Sequence, residues 1–143
     1  MKAVLDTNVI ISALISRSAT PPARILSFWQ THQLDLVLSE AILQEYSRVL
    51  RYPHIQKQHK KTHKELEIFI QQFRQLATLV YPTKEITIVK QDPDDNKFLA
   101  CAIAGKVQYI VSGDSDLLQV GEYNGIHILL PTVFLRLLEE EKV

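Results

Sequence analysis

Short apolar runs alternate with longer helix-like stretches along the whole chain, and this alternation constrains the fold more than any other feature. Residues 3–5, 34–38, 109–111 and 126–130 are strand-sized apolar runs, and 79–81 and 86–89 are shorter β-like pieces around Pro82. Between them lie helical patterns. One covers 9–15. A second runs from an N-cap at Thr20, with Pro21 in the first helical position, to about His32. Ser39 caps a third to about Leu50, with Pro53 closing it, and Leu66, Phe69, Ile70 and Phe73 mark a longer one ending near Leu76. Asp92-Pro93-Asp94-Asp95 opens a fifth that stops at Gly105, a one- or two-turn helix follows Ser112–Asp116, and Pro131 starts the last. Strands joined through helices call for a parallel α/β sheet covered on both faces.

The expected architecture is an α/β three-layer sandwich around a central, mostly parallel sheet of four or five strands. A chain of 143 residues fits one domain, here 1–143, and at this size roughly 70% of the unfolded chain's surface is buried on folding. The single cysteine, Cys101, forms no internal disulfide and no thiolate metal centre. Lys plus Arg and Asp plus Glu both number 16, which excludes a strongly basic nucleic-acid coat but leaves room for a local basic strip. No apolar run approaches the roughly 18 residues of a membrane span, and an acid at position 6 argues against a signal peptide. A cytoplasmic protein with no membrane association is expected.

In open parallel sheets, ligands bind beyond the carboxyl ends of the strands. Carboxylates occupy those positions here. Asp6 follows the first run, Asp114 and Asp116 follow the run at 109–111, and Asp92, Asp94 and Asp95 stand where the piece at 86–89 gives way to a helix. No glycine-rich phosphate loop is present. Of the third group, Asp95 aligns with Phe98, Leu99, Ala102 and Ile103 and is expected to point inward. Glu45 sits at the edge of the stripe formed by Ile42, Leu43, Tyr46, Val49 and Leu50, whereas Glu40 points away. Each acid also has a structural use. Asp92 suits an N-cap, Asp114 a turn, and Glu45 an ion pair with Arg48 or Arg51. Taken together they repel. At about 5 Å and an effective dielectric of about 20, each pair costs roughly 3 kcal/mol. A hard divalent cation with oxygen ligands, Mg²⁺ or Mn²⁺, is the natural counter-ion, unless some of the acids take up protons.

These residues resemble the PIN-domain family of metal-dependent ribonucleases, in particular the short bacterial toxins of toxin–antitoxin pairs. The resemblance covers nearly the whole chain. It rests on Val4-Leu5-Asp6-Thr7-Asn8, on Glu45 in the helix after the second strand, on Asp95 opening a helix with alanines a turn later, and on Ser112-Gly113-Asp114-Ser115-Asp116. It implies Asp6, Glu45, Asp95 and Asp114 as catalytic acids and metal ligands, with Asp116 a further ligand and Thr7, Asn8, Asp92 and Ser112 in support. Two departures stand out. The Asp92–Asp95 segment offers three acids for one ligand position, and Gly113 stands where many relatives carry a basic residue or asparagine.

The resemblance further implies hydrolysis of single-stranded RNA, an antitoxin protein that covers the acidic cleft, and a homodimer. Attraction for RNA has to come from basic residues outside the acidic cluster. The candidates are Arg17 and the 54–64 stretch with Lys57, Lys60, Lys61 and Lys64. Phe69 and Phe73, where exposed, are candidates for an interface. Two other readings remain open: a non-catalytic PIN scaffold binding RNA or protein, and a Mg²⁺-dependent phosphotransfer domain. The second wants an Asp-x-Asp or a strand-end lysine, and Asp6-x-Asn8 and the positions of Lys97 and Lys106 fit neither pattern.

Overall fold

The structure, a computed structural model, describes residues 1–83 and 93–141. The β-like piece at 86–89 and Asp92 lie outside the described residues. Among those described, six strands form one sheet in the order β3-β2-β1-β4-β6-β5. The strands are β1 (Lys2–Leu5), β2 (Asp35–Leu38), β3 (Thr78–Leu79), β4 (Tyr109–Val111), β5 (Glu122–Tyr123) and β6 (Ile126–Leu129). Every pairing is parallel except β5 with β6. Among the described residues the sheet thus holds six strands rather than four or five: β3 overlaps the β-like piece at 79–81, whereas β5, two residues long, is too short to show periodicity.

The helices are α1 (Thr7–Ile15), α2 (Pro21–Gln30), α3 (Glu40–Leu50), α4 (Pro53–His59), α5 (His63–Leu76), α6 (Asn96–Ala104), α7 (Ser115–Val120) and α8 (Pro131–Glu141). They flank the sheet. Helix α6 packs on β1, β2 and β4, while α1 and α8 meet α2, and α1 and α5 meet α3. Pro53 does close α3, but it also occupies the first turn of α4, so part of the basic 54–64 stretch is helical. Lys60, in the left-handed conformation at φ 59°, ends that helix.

The central strands β1 and β2 are buried except at their first residues, which explains their unbroken apolar runs. Trp29 of α2 stacks on Phe73 of α5 with ring centroids 4.6 Å apart, and Tyr46 of α3 meets the same ring at 5.4 Å. Phe73 is therefore core, not interface; Phe69 is half-buried, and Ile68 and Leu76 are the exposed large apolar residues of α5.

The chain runs from β1 outward to β2 and β3, then returns through α6 to β4 on the other side of β1. Strand order therefore reverses between β1 and β4. Loops leaving the carboxyl ends of two such strands diverge and open a crevice. Asp6 and Ser112 are the first residues beyond these two ends. The Asp6 amide donates to the Val111 carbonyl at 2.9 Å, and the Ser112 amide to that of Leu129 at 3.0 Å.

Candidate metal centre

Asp6 occupies the N-cap of α1 but makes no side-chain cap bond, so its carboxylate turns into the crevice. It is 4% exposed. Ser112 Oγ donates to Asp6 Oδ2 at 2.7 Å and accepts from the Asp114 amide at 2.9 Å. One fully buried hydroxyl thus ties the ends of β1 and β4 together. Burial pushes the Asp6 carboxyl up to about 6; the Ser112 and Thr7 hydrogen bonds work against that, and the charges of Asp114 and Glu45 add to it.

Asp95, Asp114 and Asp116 each present a carboxylate oxygen, and the three oxygens lie within 4.8 Å of one another. Asp95 ends a single 3-10 turn (Pro93–Asp95) and stands at the N-cap of α6 without capping it. It is buried, as its alignment with the apolar face predicts. Asp94, next to it, is exposed and bonded to Lys97, whose ammonium holds the Asp94 carboxyl below its usual range. Asp114 does cap α7, accepting from the Leu117 amide at 3.4 Å, so its structural use and its place in the cluster coexist. Asp116 is half-buried in the first turn of the same helix.

Glu45 is buried on α3 and lies outside the three-aspartate group. Both its oxygens are engaged. Thr7 Oγ1 donates to Oε2, and Lys97 Nζ donates to Oε1, with Arg48 Nη2 3.9 Å from the same oxygen. The next residue, Tyr46, donates its hydroxyl to the Leu5 carbonyl, the last of β1, and so pins α3 beside Asp6 and Thr7. Lys97 also donates to Asp94 Oδ2 at 2.9 Å. Burial lowers the Lys97 ammonium, but the hydrogen bonds to Glu45 and Asp94 outweigh it and leave the group above its ordinary value.

Lys97 reaches the strand-end site after all, which its sequence position did not indicate. No local signal points to it, because its partner Glu45 lies 52 positions away on another helix. Thr7 is buried and Asn8 exposed at the mouth of the crevice. Arg17, Lys57, Lys60 and Lys61 are exposed. Lys61 lines an open groove of ≈ 440 Å³ with Ala13 and Leu14 of α1, Leu26 of α2 and Phe69 of α5. That groove lies toward the far end of α1, a helix about 13 Å long.

A donor set of carboxylates without thiols or imidazoles suits a hard cation. Around Mg²⁺, ligands at about 2.1 Å stand about 3 Å apart when adjacent and about 4.2 Å when opposite, so oxygens within 4.8 Å of one another need to close by up to about 2 Å on the ion, a shift within reach of side-chain rotation. Cys101 takes no part, since burial pushes its thiol up to about 12.

The PIN-domain profile matches residues 2–116, a span that carries every one of these acids. The chain belongs to the PIN-domain family. It is 30% identical over 138 residues to the uncharacterized protein MJ1680 of Methanocaldococcus jannaschii, covering 92% of this chain and 86% of that one. Among solved structures, it resembles VapBC-1 from nontypeable Haemophilus influenzae, with a TM-score of 0.59 at 15% identity over 92% of this chain and 99% of that one. VapBC2 from Rickettsia felis, bound to a DNA fragment from their promoter, gives 0.56 at 15% identity over 90% and 97%. FitAcB from Neisseria gonorrhoeae gives 0.52 at 12% identity over 91% and 98%. The likeness to these three is one of fold.

Proposed function

We propose that this PIN domain, spanning 1–143, is a Mg²⁺- or Mn²⁺-dependent endoribonuclease that hydrolyses phosphodiester bonds of single-stranded RNA. The observation that carries this reading is the convergence of Asp95, Asp114 and Asp116 within 4.8 Å, beside the buried Asp6 at a strand-order reversal. Asp95, Asp114 and Asp116 would hold the cation, with Asp6 a further ligand from the floor of the crevice. The bound cation would supply Lewis-acid polarisation of the phosphodiester and an acidified water.

The protein's own groups do the rest. Ser112 orients Asp6 and the Asp114 backbone. Thr7 orients Glu45, and Glu45 accepts a hydrogen bond from the attacking water. Asn8, exposed two residues after Asp6, would bond the sugar or phosphate. Asp92 adjoins the Asp94–Asp95 turn in sequence and keeps its supporting role in this reading. Arg17, Lys57, Lys60 and Lys61 supply phosphate contacts along the strand, because the acidic centre itself repels RNA.

The fold neighbours are VapBC-1, VapBC2 and FitAcB. The same proposal includes a toxin role in the cytoplasm, an antitoxin partner and a homodimer, which the resemblance to toxin-pair PIN domains suggests. Among the described residues, no helix is long and apolar enough to cross a membrane. The test is cleavage of single-stranded RNA by the purified chain. Cleavage is expected to stop in EDTA, return with Mn²⁺, and fall by about 100-fold or more in Asp114→Asn. Cleavage that persists undiminished in EDTA overturns the metal-dependent reading.

A further inference from the structure

Glu45 is a buried carboxylate held at both oxygens by residues from two other elements: Thr7, first residue of α1, and Lys97, second residue of α6. The Lys97 side chain is 19% exposed, so the pair is largely shielded from water. Lys97 is fixed a second time by Asp94 at 2.9 Å, and a second cation, Arg48, faces the same Glu45 oxygen at 3.9 Å. A dication bound directly to Glu45 would sit against this ammonium, a repulsion that the low-dielectric surroundings amplify. Asp95, Asp114 and Asp116 converge without Glu45; Asp6 also stands outside that group, but its bonded partner is the neutral Ser112 hydroxyl rather than an ammonium.

We propose that Lys97 is a positioning residue that keeps Glu45 out of the cation's inner ligand shell and holds it as an outer hydrogen-bond acceptor for water. This deepens the metal-dependent nuclease reading and rests on it. The ligand set is then the aspartates alone, and the cation retains waters that a fourth protein carboxylate would displace. A lysine thereby divides the acids of one cleft between two tasks, ligation and water orientation.

The experiment is a Mn²⁺-binding cycle on the full chain, read by the electron paramagnetic resonance signal of free Mn²⁺. The variants are Lys97→Met, Glu45→Gln, the double variant, and Lys97→Arg as the conservative control. Removing a nearby positive charge tightens Mn²⁺ in either background, so the coupling between the two positions carries the answer. Lys97→Met is expected to tighten Mn²⁺ about tenfold more with Glu45 present than in the Glu45→Gln background, a coupling within the usual range for touching residues. Water-proton relaxation is expected to show one fewer exchangeable water on Mn²⁺ in Lys97→Met, and Lys97→Arg is expected to stay near wild type. Lys97→Gln, which keeps a donor but no charge, replaces Lys97→Met should the latter not fold. Equal tightening in both backgrounds, with no change in bound water, overturns the proposal while leaving the metal centre intact. A wild-type chain that binds no Mn²⁺ overturns the metal-dependent reading and this inference with it.

Discussion

A carboxylate stripped of water and facing other carboxylates is a reluctant acid, and Asp6 illustrates the consequence. Its ordinary value of 3.8 rises to about 6 in the metal-free fold, chiefly through burial. Between these two values the folded chain binds more protons than the unfolded one, so stability falls as pH rises through this window. At about 1.4 kcal/mol per pH unit, the loss approaches about 3 kcal/mol above pH 6. Urea unfolding in EDTA should show this component of decline in wild type and not in Asp6→Asn, which should be the more stable chain at pH 7. Asp114→Asn separates ligation from capping. Asparagine caps helices as well as aspartate does, so α7 should persist by circular dichroism. Cleavage should nevertheless fall by about 100-fold or more with the ligand charge gone. Asp6, Asp95 and Asp114 were legible in the sequence because strand ends and an apolar helix face fix where they point. Lys97 was not. Its importance depends on α3 and α6 approaching each other, and no local pattern reports a contact between residues 52 positions apart.

At the scale of elements, sequence signals named most boundaries but sometimes for a different physical reason. Gly105 does end α6, yet its φ is −87°, and the left-handed residue is Lys106 at φ 53°. Gly105 is needed for space: an added Cβ would lie 2.6 Å from Val37 Cγ1 on β2. A branched, buried side chain has little room to yield, so Gly105→Ala should cost about 1–3 kcal/mol in thermal or urea unfolding. Periodicity placed no strand before Ile126, but Asn124-Gly125 is a hairpin signal. The structure shows both residues at positive φ, 52° and 81°, joining β5 to β6. Tyr46 is core, as its place on the apolar stripe predicts, and its hydroxyl adds the bond to Leu5 that anchors α3 to β1. Tyr46→Phe removes only that bond. It should lower stability by about 1 kcal/mol and slow cleavage through a misplaced Glu45, with Mn²⁺ affinity unchanged.

For the molecule as a whole, the acidic centre costs stability, and on the proposed reading a bound cation would return it. At 100 times its dissociation constant, Mn²⁺ should stabilise the fold by about 2.7 kcal/mol and raise Tm by about 5–10 °C, an increase that Asp114→Asn should abolish in calorimetry. The parallel sheet and its helical cover were legible because buried parallel strands write themselves as unbroken apolar runs. The strand order was not, since nothing local states that the fourth strand returns to the far side of the first. That return governs when the cleft comes into being. Asp6 and Ser112 are bonded across 106 positions, so the crevice closes only after β4 has slotted beside β1, and a chain shortened before that strand keeps Asp6, Glu45 and Asp95 but lacks Ser112, Asp114 and Asp116. Assembly of so non-local a contact comes late in folding. In chains still acquiring their shape the acidic cluster is therefore incomplete, and it comes together only in molecules that have finished folding.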